Sequence, residues 1–89
     1  MTCSRTLEIT NRRGLHARAS AKFVTVAAEL STKVEVEKDG NRVCGTSIMG
    51  LMMLGAAMGD EITIHCEGDG CSDALERLST LVTERFGED

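Results

Sequence analysis

Proline, tryptophan and tyrosine are absent from the 89 residues, and Phe23 and Phe86 are the only aromatic side chains. Without proline, no slow prolyl isomerisation limits folding. With two aromatics, the core has to be aliphatic with methionine as filler, and the stacking platforms of an RNA-binding sheet are missing. No apolar run reaches membrane-spanning length and no basic-then-hydrophobic leader is present, so a soluble, cytoplasmic protein without membrane insertion is expected. There is no Cys-x-x-Cys pair, no Walker lysine motif and no Gly-rich nucleotide fingerprint. Neither a metal site nor a cofactor is therefore expected. In Ile62-Thr63-Ile64-His65-Cys66 the alternation sends His65 and Cys66 to opposite faces, so they cannot share a metal. Cys71 falls on an apolar stripe with Leu75, Leu78 and Val82. With the reducing compartment, this makes Cys3, Cys44, Cys66 and Cys71 buried small hydrophobes rather than a disulfide framework.

The chain fits one domain, residues 1–89, long enough for a single core. Its net charge of −4 argues against general nucleic-acid binding. The charge is unevenly spread. Arg5, Arg12, Arg13, Arg18 and Lys22 oppose only Glu8 in the first 22 residues, a local +4 that leaves −8 for the rest. Such a basic pole steers a protein towards acidic surfaces and phosphate, the alternative being an ordinary solvated face.

Within that pole, Leu7-Glu8-Ile9-Thr10 alternates like a strand, and Phe23, Val24, Ala27 and Leu30 recur at helical spacing. Asn11-Arg12-Arg13-Gly14 is then a loop, and His16 stands where the helix begins. Ser, Thr, Asp or Asn would cap the free backbone N–H groups better. A broken local rule at such a junction points to function. A neutral imidazole is an established nucleophile. The N–H groups of Ala17, Arg18 and Ala19, with the positive end of the helix dipole, make an anion cradle. Arg18 adds a planar fork of donors suited to phosphate oxygens. Nucleophile, cradle and cation within a few residues describe a histidine that accepts and passes on a phosphoryl group. The plain alternative is a surface histidine in a loop.

Gly14-Leu15-His16-Ala17-Arg18 resembles the active-site motif of HPr, the histidine-containing phosphocarrier family of the bacterial phosphotransferase system. Ser47-Ile48-Met49-Gly50-Leu51-Met52-Met53-Leu54-Gly55 resembles that family's regulatory serine segment. The two motifs, their separation and the chain length make the resemblance cover nearly the whole sequence. It implies phosphorylation of His16 on Nδ1 (the pros nitrogen), phosphate stabilisation by Arg18 and regulation at Ser47. It also implies an enzyme I-type donor, an EIIA-type acceptor and a serine kinase/phosphorylase. The family usually has proline after the arginine, where this chain has Ala19. Alanine restores an N–H to the cradle and gives up the rigidity of the helix entry. Ala19 and the Met-rich second block point to the family's regulatory or nitrogen-related branch.

Taken in order, residues 3–10 read as a strand with Leu7 and Ile9 inward, and Ala17 to Glu29 as a helix. Val34 to Lys38 alternates, and Asp39-Gly40 signals a two-residue hairpin. That turn sets Glu37 opposite Arg42 and Val36 opposite Val43, pairing charge with charge. Ser47 opens a short helix ending near Gly55, Glu61 to Glu67 form a strand, and 71–86 form a final helix stopped by Gly87. The order is β-α-β-β-α-β-α, an α+β fold with one sheet and three helices on one face. The resemblance makes the sheet four-stranded and antiparallel, an open-faced β-sandwich.

The short helix carries too many apolar residues for one buried stripe. Leu51 and Leu54 are expected in the core. Ile48, Met49 and Met52, with Lys22 nearby, are expected to form a docking patch, since methionine adapts to several partners. The alternative is a Met-filled core. Serine is a preferred N-cap, which is the plain reading of Ser47. Phosphate there would sit on the helix end, spare the fold and repel an acidic partner. With no means of energising its own phosphorylation, the chain is a carrier and not an autonomous enzyme, and a monomer suffices. Two other readings compete. One is an unphosphorylated regulatory module acting through residues 47–55. The other is a metal or RNA module of similar element order, which the missing ligands, aromatics and basic charge oppose.

Overall fold

The computed structural model describes residues 1–88. Four strands, β1 (Thr2–Glu8), β2 (Lys33–Lys38), β3 (Asn41–Cys44) and β4 (Glu61–Glu67), form one antiparallel sheet in the order β1-β4-β2-β3. Helix α1 (Ala17–Ala28) packs beside both α2 (Ile48–Met53) and α3 (Cys71–Thr83), while α2 lies against β3 and α3 packs on β1 and β4. This is the open-faced α+β architecture that the sequence pattern and the resemblance imply.

The alternating strands decide which face is covered. Val34 and Val36 of β2 and Ile62, Ile64 and Cys66 of β4 point into the core, where Phe23, Ala27, Leu75, Leu78 and Val82 meet them. Their intervening neighbours carry Glu35, Glu37, Thr63 and His65 on the open face. The Asp39–Gly40 turn has positive φ at both residues, 51° and 84°, as a primed two-residue hairpin requires. Val36 faces Val43 and Glu37 faces Arg42 in register. The charges do not pair across the rung, however. Arg42 reaches Glu35 at 2.8 Å, because Glu37 is taken by His65 of β4, also at 2.8 Å.

Three further expectations are corrected. The core holds no methionine among its buried side chains. Met1, Met49, Met52, Met53 and Met58 are all exposed, and Phe23 and Phe86 supply the core's largest volumes. Next, the cysteines are not four buried hydrophobes. Cys44 is exposed, Cys66 is buried, and Cys3 and Cys71 are joined as a disulfide. Cys3 lies on the core side of an edge strand and Cys71 is the first residue of α3, a pairing that only the tertiary fold creates.

The last correction concerns the final helix. It ends at Thr83, and Arg85–Gly87 form a separate 3-10 turn with Arg85 and Phe86 in the left-handed region. Such backbone costs about 1–3 kcal/mol per residue and persists only where packing fixes it. Here burial of the Phe86 ring, 1% exposed, supplies that packing. The reversal turns the chain back towards α1.

Candidate functional site

The loop from Ile9 to Leu15 is held from outside. Ile9 exchanges backbone hydrogen bonds with Gly59 and Asp60, and the Leu15 N–H donates to the Ala56 carbonyl at 2.9 Å. Gly14, at φ 64°, sits against that same carbonyl, and a Cβ there would fall on Ala56 O. Glycine is therefore required on steric as well as conformational grounds. The bracing ends one residue before His16, which it presents at the mouth of α1.

His16 is the N-cap of α1, with extended backbone at φ −75° and ψ −177°. Its imidazole does the work usually given to a serine or aspartate. Nδ1 accepts from the Arg18 N–H at 3.3 Å, while the His16 carbonyl accepts from the Ser20 N–H at 2.9 Å. The histidine that looked misplaced is the cap. The first-turn N–H groups of Ala17, Arg18 and Ala19 have no partner one turn back within the helix. The Ala19 methyl is fully buried, so this residue offers the site its backbone alone.

The other ring nitrogen is committed elsewhere. Nε2 lies 2.7 Å from Glu88 Oε2, with both side chains about 15% exposed. Because Nδ1 accepts a hydrogen bond, the proton of the neutral ring is on Nε2 and is donated to the carboxylate. Asn11, wholly buried, donates from Nδ2 to the Gly14 carbonyl at 2.9 Å and to Glu88 Oε1 at 3.1 Å. Burial alone would raise the Glu88 pKa. The hydrogen bonds from Asn11 and His16 and the positive charge of Lys22 outweigh it and hold the carboxyl below its ordinary range. Sequence reading missed both Asn11 and Glu88. Asn11 carried only a loop signal, and Glu88 lies 72 residues from its partner with no local pattern to betray it.

The cations gather as the sequence suggests. Arg12, Arg13, Arg18 and Lys22 line a groove of about 350 Å³ whose far wall is Gly87 and Glu88. The three arginines are exposed, whereas Lys22 is half-buried and its Nζ donates to the Phe86 carbonyl at 2.6 Å. The placement of Lys22 is thus that of a clasp on the C-terminal turn. On α2, Ser47 is the N-cap and its Oγ accepts from the Gly50 N–H at 3.0 Å. Leu51 is buried and Leu54 partly so, leaving Ile48, Met49, Met52 and Met53 on the surface. Since α2 packs beside α1, this apolar patch adjoins the helix that carries His16.

Known proteins place this chain in a family. The family described as the PTS HPr component phosphorylation site matches residues 3–84. Phosphocarrier protein HPr of Neisseria meningitidis serogroup A is 46% identical over 82 residues, 92% of each chain. The HPr-like protein Crh of Bacillus subtilis is 41% identical over 78 residues, 88% of this chain and 92% of its own. The crystal structure of an HPr from Thermoanaerobacter tengcongensis superposes with a TM-score of 0.93 at 41% identity, covering 98% of both chains. The chain belongs to the HPr family, the phosphocarriers of the phosphotransferase system, which are not catalysts by themselves.

Proposed function

We propose that His16 is this carrier's phosphoryl acceptor. It takes the group on Nδ1 from an enzyme I-type phosphohistidine donor, with phosphoenolpyruvate as the ultimate source, and passes it to an EIIA-type protein. One observation carries the reading. Nδ1 faces the first turn of α1, while Nε2 is tied to Glu88, so the nitrogen lone pair stands over the helix end. In the transfer, that pair gives up the Arg18 N–H and forms the new N–P bond as the donor's own N–P bond breaks and returns its electrons to the donor ring. The N–H groups of Ala17, Arg18 and Ala19 and the Arg18 guanidinium receive the phosphoryl oxygens. The domain of residues 1–89 works as a cytoplasmic monomer. No helix in it is long and apolar enough to cross a membrane, among the described residues.

Ile48, Met49 and Met52 are the docking surface in this proposal, with Lys22 at its margin. Ser47 is a regulatory site for a serine kinase/phosphorylase. Its hydroxyl already caps α2, so phosphate there would keep the fold and place negative charge in the patch. A Ser47→Asp variant is expected to accept phosphate from the donor about 10-fold more slowly, with an unchanged Tm. Equal rates would remove the regulatory role.

The primary test is intact-mass spectrometry after incubation with phosphoenolpyruvate and enzyme I, with His16→Ala in parallel. The expected result is one acid-labile phosphate on the native protein and none on the variant. No gain from an active donor would overturn the assignment. It would leave a regulatory interaction module acting through the exposed α2 patch.

A further inference from the structure

Three of the four cysteines converge at the end of the sheet remote from His16. Cys3 and Cys66 are direct partners in the β1–β4 ladder, and Cys71 opens α3 immediately after the Gly68–Gly70 bend. Strand β1 runs from Cys3 towards the His16 loop, and α3 runs from Cys71 back to the Phe86 turn. The Cys3–Cys71 link therefore clamps the pole opposite the phosphoryl site. The two Cα atoms are 5.9 Å apart, within the span of a disulfide.

The three sulfurs are not equivalent. Cys3 is half-buried on an edge strand, whereas Cys66 and Cys71 are essentially inaccessible. An external thiol can reach only the Cys3 sulfur. Cys71, the first residue of α3, is wholly buried, so its sulfur is the one that leaves when a thiol attacks Cys3. Cys66 lies in an apolar setting, and burial pushes its thiol up, so it stays protonated and does not scramble the pair.

We propose that Cys3 and Cys71 form a reversible redox site, entered at Cys3 by a low-molecular-weight thiol or its disulfide, that sets the stability of the carrier independently of His16. In reduction, an external thiolate bonds to the Cys3 sulfur as the Cys3–Cys71 bond breaks, its electron pair leaving on Cys71, which takes up a proton. A second external thiolate then attacks the mixed disulfide at its external sulfur. This frees the Cys3 thiolate and yields one small disulfide. Two external thiols are oxidised for one protein disulfide reduced, and oxidation is the reverse. Closing a loop across 68 residues restricts the unfolded chain strongly, so the oxidised form is the more stable.

The test equilibrates the full-length protein in buffers of graded reduced and oxidised glutathione, then blocks free thiols and maps cross-links by peptide mass spectrometry. A Cys3–Cys71 cross-link that appears and disappears with the buffer ratio is expected. Reduction should lower Tm by on the order of 10 °C. Cys66→Ser should keep that shift, and Cys3→Ser and Cys71→Ser should each abolish it. In Cys71→Ser a glutathione adduct should collect on Cys3, while Cys3→Ser should gather none on Cys71. Phosphoryl acceptance at His16, read at a temperature where both forms are folded, should be the same before and after reduction. Retained acceptance by the serine variants also shows that they fold. A cross-link through Cys66, no cross-link, or a cross-link with no change in Tm would each overturn the proposal.

Discussion

A neutral imidazole has two tautomers, and only one leaves Nδ1 with a lone pair. In this carrier the choice is made by Glu88, whose carboxylate accepts a hydrogen bond from Nε2–H, and by Asn11, which holds the carboxylate. Glu88→Ala removes the tie and is expected to slow phosphoryl acceptance about 10-fold, as loss of an orienting partner does elsewhere. Glu88→Gln keeps an oxygen at Nε2–H and should recover most of the rate, which a packing role would not explain. Both are read by single-turnover phosphorylation with a fixed donor. The same residue leaves a signature in pH. Its carboxyl is depressed in the folded state, so the native protein holds an advantage over Glu88→Gln at and above the ordinary carboxylate range. That advantage, about 1 kcal/mol, should fade as pH falls through the depressed value. Urea unfolding of both proteins between pH 2 and 7 measures it, and parallel curves would refute the charge's contribution. The placement of His16 and Arg18 at the mouth of α1 was legible because a strand-like run, a loop and a helical stripe meet there in sequence. Glu88 was not, since no local rule links a carboxylate beyond one helix to the mouth of another.

Among the elements, the C-terminal turn decides whether that carboxylate arrives. Periodicity carries the apolar stripe of α3 on to Phe86, which is why sequence reading extends the helix there. The stripe is real, because the Phe86 ring is buried, but the backbone reaches that burial through two left-handed residues after Thr83. A hydrophobic pattern fixes which side chains go inside, and it is silent on the dihedrals that take them there. Lys22, on the exposed side of α1 by pattern, then clasps the turn at the Phe86 carbonyl. Phe86→Ala should cost about 3 kcal/mol by denaturant unfolding. With the turn released, phosphoryl acceptance should fall to the level of Glu88→Ala even under conditions where the variant is fully folded. Were acceptance to stay native, Glu88 would be finding His16 without the turn, and the proposed coupling would fail. The cysteines teach the same lesson in reverse. Their spacing carries no disulfide signature, because Cys3 and Cys71 meet only once β1 and α3 have packed.

For the molecule as a whole, topology was the most legible feature, since strand alternation, the Asp39–Gly40 turn and the helix stripes agree with one another. The sites follow from the way that topology folds charge. Arg12, Arg13 and Arg18 come from one short stretch, and the fold sets them around a single groove beside Glu88 on an otherwise acidic protein. The acidic excess lies in the sequence beyond residue 22, so the molecule has a basic working end. A partner with an acidic docking face would be drawn in by that end before any apolar contact through Ile48, Met49 and Met52 forms. Steering of this kind acts on the encounter rate and decays once salt shortens the screening length to about 8 Å at physiological strength and less above it. The second-order rate of phosphoryl transfer from the donor should therefore drop about 10-fold between low salt and ~0.5 M. In Arg12→Glu/Arg13→Glu, which leaves His16 and Arg18 in place, the low-salt rate should fall and its salt dependence flatten. The maximal rate at saturating donor should change little, because neither arginine reaches the ring. Stopped-flow phosphorylation across an ionic-strength series separates the two quantities. A flat profile for the native protein would mean that the arginine groove does not steer and that recognition belongs to the apolar patch alone.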